Sequence, residues 1–356
     1  MSCKRKSKKA LASAIIFLLS IIFISTPVLA DEEEPYSITG YASEVVLNPD
    51  GSVYFDETIT YKLMQESVEI IKPIPLANSS KAENMEVFLQ HPDADSEEPE
   101  TDPKLEALQN YTFELAEEEE DIYHITIPYE AGKHEEVTFV YRYKMMDTVF
   151  LYKDTAVFFW RYMMPNEVKN VQNIDIQVSL PEAVSLDDWS GYVRGAVYAE
   201  KELLEDGKFK LTVEELLEDE FLESVLLLPT SLFPEGRKVI DNNAKEEILA
   251  EIAEWEEQAS SVRKKDELRF YSGSAIGIIA MLLCLATGLL NKMQGKQGIN
   301  RWIIGASIIS LAAGITAWFI LKNAWAGILA IVSALALTGY AGYDSNLLFR
   351  KNQHKA

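Results

Sequence analysis

The chain is 356 residues long, with 56 Asp/Glu against 33 Lys/Arg and a formal net charge of −23. A field of that sign repels nucleic acid and anionic lipid headgroups, which disfavours DNA, RNA and membrane-surface binding as the role of the acidic part. The two cysteines, Cys3 and Cys284, fall in a targeting stretch and an apolar stretch, so the acidic middle offers no disulfide, thiol nucleophile or Cys-rich zinc site.

The first 30 residues read as a secretory signal. Lys4, Arg5, Lys6, Lys8 and Lys9 precede an apolar run over 10–24, and Val28 and Ala30 are the short side chains a signal peptidase accepts before Asp31. Cleavage after Ala30 would begin an extracytoplasmic domain over 31–235; a retained segment would act as an anchor and leave that domain on the same side. Between residues 31 and 270 there are 55 Asp/Glu and 21 Lys/Arg, a net of −34. Cationic ligands, metal ions and basic peptides fit such a surface, although plain solvation of an exposed surface is the commoner reason for such a charge. A domain of this kind without cysteine suits a bacterial cell envelope.

From Tyr36 onward the pattern is that of strands. The stretch SVYFDETITYKL at 52–63 sets Val53, Phe55, Thr58 or Ile59, and Tyr61 near period two, and Val45-Val46-Leu47 precedes it across Asn48-Pro49-Asp50-Gly51. Pro fixes φ and Gly accepts the positive φ of the turn, so the two runs predict a hairpin. Further strands are expected at 85–89, 111–115, 122–127, 137–145, 174–180, 192–198, 209–213 and 224–228. Many short strands with few helical periods predict an all-β extracytoplasmic domain, as a β-sandwich or two in tandem. The Asp/Glu/Pro-rich stretch 93–104 and the five acids at 117–121 are expected as exposed loops or hairpin tips.

After Pro234 the period changes. Ile248, Ile252, Trp255, Ala259 and Val262 share one helical face, which predicts a juxtamembrane stalk helix over 241–270, with Asn242 or Asn243 as its cap. Three uncharged runs at 271–290, 302–321 and 324–343 are each long enough for the ~30 Å hydrocarbon layer, giving three transmembrane helices before a cytoplasmic tail at 344–356. Lys292, Lys296 and Arg301, then Arg350, Lys351 and Lys355, place the first connection and the tail in the cytoplasm. Arg263, Lys264, Lys265 and Arg269 oppose that count; the signal segment outweighs them, because long domains translocate largely regardless of charge. Small residues every four positions, Ala306, Ser310 and Gly314 on one span and Ala326, Ala330, Ala334, Thr338 and Gly342 on the other, predict a close antiparallel pair.

Asn48-Pro49-Asp50-Gly51-Ser52 followed by Glu57-Thr58-Ile59-Thr60-Tyr61, and later Tyr152-Lys153-Asp154-Thr155-Ala156-Val157-Phe158-Phe159-Trp160, resemble the domain-of-unknown-function 2207 family, the YciQ-like predicted membrane proteins. The resemblance covers roughly residues 36–234. It departs at 69–75, which lacks the Gly and Arg expected after the second strand, and in the missing glycine-rich tail. It implies an extracytoplasmic domain of unknown role and supplies no catalytic residue.

No residue is assigned as catalytic, cofactor-binding or metal-ligating. The aromatic patch Tyr152, Phe158, Phe159, Trp160 and Tyr162 fits a sugar-stacking platform or, more commonly, a core built around one Trp. Asp93, Asp95 and Glu97 mimic a calcium loop, but Glu98 and Lys104 stand where Gly and Glu are required. His91, His124 and His134 are scattered, and Ser261-Val262-Arg263-Lys264 matches Ser-x-x-Lys spacing without its companion motifs. The expected function is therefore a non-enzymatic binding or assembly module that engages the bilayer and another envelope or membrane protein. The alternatives are an envelope hydrolase using Asp/Glu carboxylates and a sensor with a separate output partner.

Overall fold

The structure, a computed structural model, describes residues 34–76, 79–91, 104–116, 121–130, 132, 134–164, 171–218, 220–293, 301–320 and 325–338. The stretch 1–30 expected as a signal, the calcium-like acids at 93–98, most of the acid run at 117–121 and the expected tail at 344–356 lie outside the described residues. The chain divides into two compact units, residues 1–246 and 247–356.

The first unit is all β. Its strands are β1 (Tyr36–Leu47), β2 (Val53–Leu63), β3 (Ser67–Pro75), β4 (Lys81–Gln90), β5 (Leu105–Ala107), β6 (Thr112–Leu115), β7 (Ile122–Glu130) and β8 (Glu136–Met146). They continue with β9 (Phe150–Leu151), β10 (Ala156–Met163), β11 (Val171–Ser179), β12 (Ser190–Arg194), β13 (Glu200–Leu204), β14 (Lys208–Leu216) and β15 (Leu222–Leu228). Eight of them form one sheet in the order β13-β14-β11-β1-β2-β8-β4-β5. Its pairs are antiparallel except β1 with β11, which run parallel. A four-stranded sheet, β12-β15-β10-β9, and a three-stranded sheet, β3-β7-β6, complete the unit.

The alternation of β2 shows why the sheets stack. Val53, Phe55, Ile59 and Tyr61 are buried while Tyr54, Asp56, Thr58 and Thr60 face outward, so one face of the large sheet needs an apolar cover. The two smaller sheets supply it. Phe55 meets Trp160 of β10 with ring centroids 4.5 Å apart, and Tyr129 of β7 meets Phe139 of β8 at 5.5 Å. Gly191 of β12 lies so close to the large sheet that a Cβ there would stand 2.6 Å from the Phe209 ring. A single cluster of buried side chains extends from Tyr36 to Phe233. The strands interleave, β11 pairing with β1, so the described strands share one core where a tandem arrangement would have two.

The expected hairpin is present: the Gly51 amide donates to the Asn48 carbonyl at 2.9 Å, and Gly51 has φ of +77°. Strands β3, β5, β9, β10 and β13 were not anticipated as strands. β3 carries Pro73 and Pro75, and it is an edge strand, where a missing N–H costs no ladder bond. The expected strand at 192–198 ends early, at Arg194, because Gly195 takes φ of +95°.

Helix α1 (Lys245–Met293) starts at the end of the first unit and runs into the second, which is otherwise made of α2 (Arg301–Ile315) with a π-helical continuation (Thr316–Ile320) and α3 (Trp325–Thr338) among the described residues. The stalk and first apolar run are one unbroken helix. Its start is capped by Asp154, whose carboxylate accepts the N–H groups of Ala244 at 3.0 Å and Lys245 at 3.2 Å; the asparagines expected in that role do not provide these bonds. Among the described residues one helix is long and apolar enough to cross a membrane, and two shorter apolar helices follow. The small-residue faces do meet. The Ser310 hydroxyl donates to the Ala330 carbonyl at 2.9 Å, and a Cβ on Gly277 would stand 2.8 Å from Ala326.

Candidate functional site

Three arrangements of charged groups stand out in the β unit, two buried and one open; the first buried one is built on β2. It centres on Glu57, 1% exposed, which the alternation of β2 sends inward between Phe55 and Ile59. Lys72 reaches it from β3 across the two layers at 2.9 Å. The hydroxyls of Tyr41 and Tyr143 donate to the same carboxylate, the latter at 3.0 Å. The Lys72 ammonium also lies 5.9 Å and 5.6 Å from the ring centroids of Tyr41 and Tyr141. Tyr141 shares a hydrogen bond with Tyr61 at 3.1 Å, and Tyr162 one with Ser224 at 3.1 Å.

Burial, with the negative charge of Glu57 beside them, drives the hydroxyls of Tyr41 and Tyr143 well above the ordinary tyrosine range. Burial likewise raises Tyr141 and Tyr162. With one cation and two phenols around it, the carboxylate has both oxygens engaged, and at 1% exposure it presents no surface to a ligand. It works as an internal tie between β2 and β3. Ser43 sits opposite Glu57 in the β1–β2 register, and its hydroxyl is buried without a hydrogen-bond partner among the described residues.

A second buried carboxylate, Glu223 on β15, is 2% exposed. It accepts from Arg161 Nε at 2.6 Å, with Arg194 Nε at 3.8 Å from its other oxygen. This set joins β10, β15 and β12 across the middle of the four-stranded sheet.

The open arrangement is a groove of roughly 990 Å³ at the β11–β14 end of the large sheet. Asp175, Glu200, Glu214, Glu215 and Glu220 bring carboxylates to it, and Tyr198, 60% exposed, adds an aromatic surface. Two of these acids are engaged: Asp175 with Lys210 at 3.1 Å, and Glu220 with the Leu217 amide at 3.1 Å. The groove's chemistry is that of a cation-attracting surface. Among the described residues no group of three His, Cys, Asp or Glu is placed to hold a metal ion.

The aromatic patch separates by strand alternation. Phe158, Trp160 and Tyr162 are buried in the core, while Phe159 is only partly buried, on the opposite face of β10. Trp160, 1% exposed, is the centre of packing and not a platform for a ligand. His91 pairs with Glu106 at 2.8 Å at one end of the large sheet, whereas His124 and His134 belong to β7 and the turn before β8. Ser261 and Lys264 are exposed on α1. Sequence reasoning passed over Glu57; an acid flanked at i−2 and i+2 by Phe55 and Ile59 was the available signal.

Residues 37–228 match the family described as predicted membrane protein (DUF2207) N-terminal domain. No curated protein matches the chain. Among solved structures, yeast leukotriene A4 hydrolase in complex with bestatin is similar over 56% of this chain and 31% of its own, at 9% identity and a TM-score of 0.36. An M1 zinc metallopeptidase from Deinococcus radiodurans is similar over 54% and 42%, at 9% identity and a TM-score of 0.30. The chain spans less than half the length of either, and likeness of this order carries no reading of activity.

Proposed function

The chain belongs to the predicted membrane protein family that carries the DUF2207 N-terminal domain, and on that premise we propose that it is a multi-pass envelope protein whose sandwich-like β unit lies outside the cell membrane and engages another membrane or envelope protein. The observation that supports the anchor is the apolar part of α1, where Ile279 is 65% exposed, Leu282 54%, Leu285 56% and Leu289 62%. Leaving a Leu or Ile side chain in water costs about 1.5–3 kcal/mol relative to burial, and lipid removes that cost. The helices α2 and α3 extend the apolar surface, with Trp325 and Leu335 exposed, which favours three spans at 271–290, 302–321 and 324–343 over one. The signal segment at 1–30 and the Lys/Arg distribution favour an outer β unit with a cytoplasmic C-terminus.

A non-enzymatic role is supported by how the buried carboxylates are used: Glu57 and Glu223 are tied to Lys72 and Arg161 inside the fold, as structural ion pairs are. The acidic groove beside Tyr198 and the exposed Leu217 is the part of the unit best suited to a basic partner surface. Mild detergent solubilisation of the tagged full chain from its own membranes, followed by mass spectrometry, tests the reading. Expected is a stoichiometric membrane or envelope protein that is lost at high salt; a chain that elutes alone at every detergent and ionic strength overturns it.

A further inference from the structure

Resting on that membrane-anchored reading, we propose that Lys264 and Lys265 of α1 hold the phosphate of an anionic lipid headgroup in the leaflet that α1 enters first. The placement follows from the helix being continuous from Lys245 to Met293, so that one angular frame applies to the charged and the apolar parts alike. In the apolar part Gly273, Gly277, Ala280 and Cys284 are buried, spaced four, three and four residues apart. They mark the side turned toward neighbouring helices; Gly277 abuts Ala326, and Cys284 packs with Ile303, Ala306 and Leu337.

The opposite side carries Leu282 and Ile279, both more than half exposed, and continues toward the N-terminus through Tyr271, 62% exposed, and Leu268, 70% exposed. At about 100° per residue, the next side chain on that line is Lys264, with Lys265 on its flank. Both lysines are exposed. Lys264 therefore stands above the stripe that meets lipid tails, with Lys265 beside it.

Depth agrees with direction. Lys264 and Lys265 precede Tyr271 by seven and six residues, about 10.5 and 9 Å of helix, and the headgroup layer outside the ~30 Å hydrocarbon core is about 5–8 Å thick on each side. A lysine stem spans the remainder by bending its ammonium toward the interface. The surface there is shaped as an open notch of roughly 340 Å³, lined by Ser260, Ser261, Lys264, Lys265 and Leu268, with Glu257 at its membrane-distal end. Hydroxyls and ammonium groups suit phosphate oxygens, and Leu268 suits the start of an acyl chain. Nearby, Asp266 is engaged by Arg269 at 3.0 Å, which reduces its opposition to an anion. The two lysines thus provide local attraction in a chain whose acidic part repels the same headgroups.

The test uses the full chain in a neutral detergent, titrated with short-chain phosphatidylglycerol, phosphatidylcholine of equal chain length, and inorganic phosphate. Expected is tighter binding of phosphatidylglycerol, by about fivefold for each engaged lysine, collapsing at about 0.5 M salt. The variant K264Q/K265Q should bind the two lipids equally, and K264R/K265R should keep the preference. Equal affinity in the unmodified chain, a preference that survives K264Q/K265Q, or displacement of the lipid by equimolar phosphate each overturns the proposal. Alkaline carbonate washing of membranes separates the two levels. Release of the unmodified chain sinks the anchor reading itself, while retention without lipid preference sinks only this inference.

Discussion

Lys72 is the side chain whose loss should tell most about the core. With Lys72→Met, Glu57 stays buried beside two phenols with no cation, and removing one member of a buried pair costs about 3–5 kcal/mol. Urea denaturation of the β unit should show that loss, and adding Glu57→Gln to Lys72→Met should recover part of it; equal midpoints for the single variant and the parent would show that the pair contributes nothing. The tyrosines around Glu57 give a pH signature. Tyr41, Tyr141, Tyr143 and Tyr162 are all raised by burial above 10.0. A raised group stabilises fully below its unfolded value and loses that contribution as pH climbs past it. Stability should therefore be flat up to about pH 10 and then fall, with phenolate absorbance from these four rings appearing only together with unfolding. Gradual ionisation at pH 10 in the folded protein would contradict their burial. None of this was legible from composition, since the chain has 56 acids and Glu57 and Glu223 are the ones buried among the described residues; only the alternation around Glu57 distinguishes it.

At the scale of elements, strands were readable where side chains alternated and where a turn announced itself, as for β1, β2, β8, β11 and β14. The hairpin at Asn48-Pro49-Asp50-Gly51 fixed their frame. β3 and β13 were not readable, for opposite physical reasons. Pro73 and Pro75 argue against a strand unless it lies at an edge, and the Glu200-Lys201-Glu202-Leu203-Leu204 sequence has helix propensity that pairing with β14 overrides. The cap on α1 was misplaced because Asp154 is distant in sequence and adjacent only after folding. Close approaches are equally invisible beforehand. A Cβ on Gly195 would meet the Phe221 carbonyl oxygen at 1.9 Å, at a φ of +95°. Gly195→Ala should thus cost more than the roughly 1–2 kcal/mol of a left-handed backbone alone, read as a lowered thermal midpoint. An unchanged midpoint would mean that the β12 end relaxes freely.

For the molecule as a whole, the division at residue 246 predicts that a fragment covering residues 34–246 is soluble and unfolds in one cooperative transition without its helices. Lacking cysteine, that fragment should give the same midpoint with and without dithiothreitol. Aggregation of the fragment, or a broad non-cooperative melt, would show that the β unit depends on the helical unit for its stability. The change from strands to apolar helices was legible from periodicity and hydropathy, whereas the three-sheet arrangement was not, because it depends on pairings between residues tens of positions apart and, for β1 with β11, more than a hundred apart. One such pairing bears on biogenesis. β1 lies in the interior of the large sheet with β11 as one neighbour, so its second flank stays unsatisfied until about residue 179 has been delivered. A chain emerging N-terminus first must keep that strand open for most of its passage, which makes a holding chaperone or slow post-translocational closure the expected rate-limiting stage.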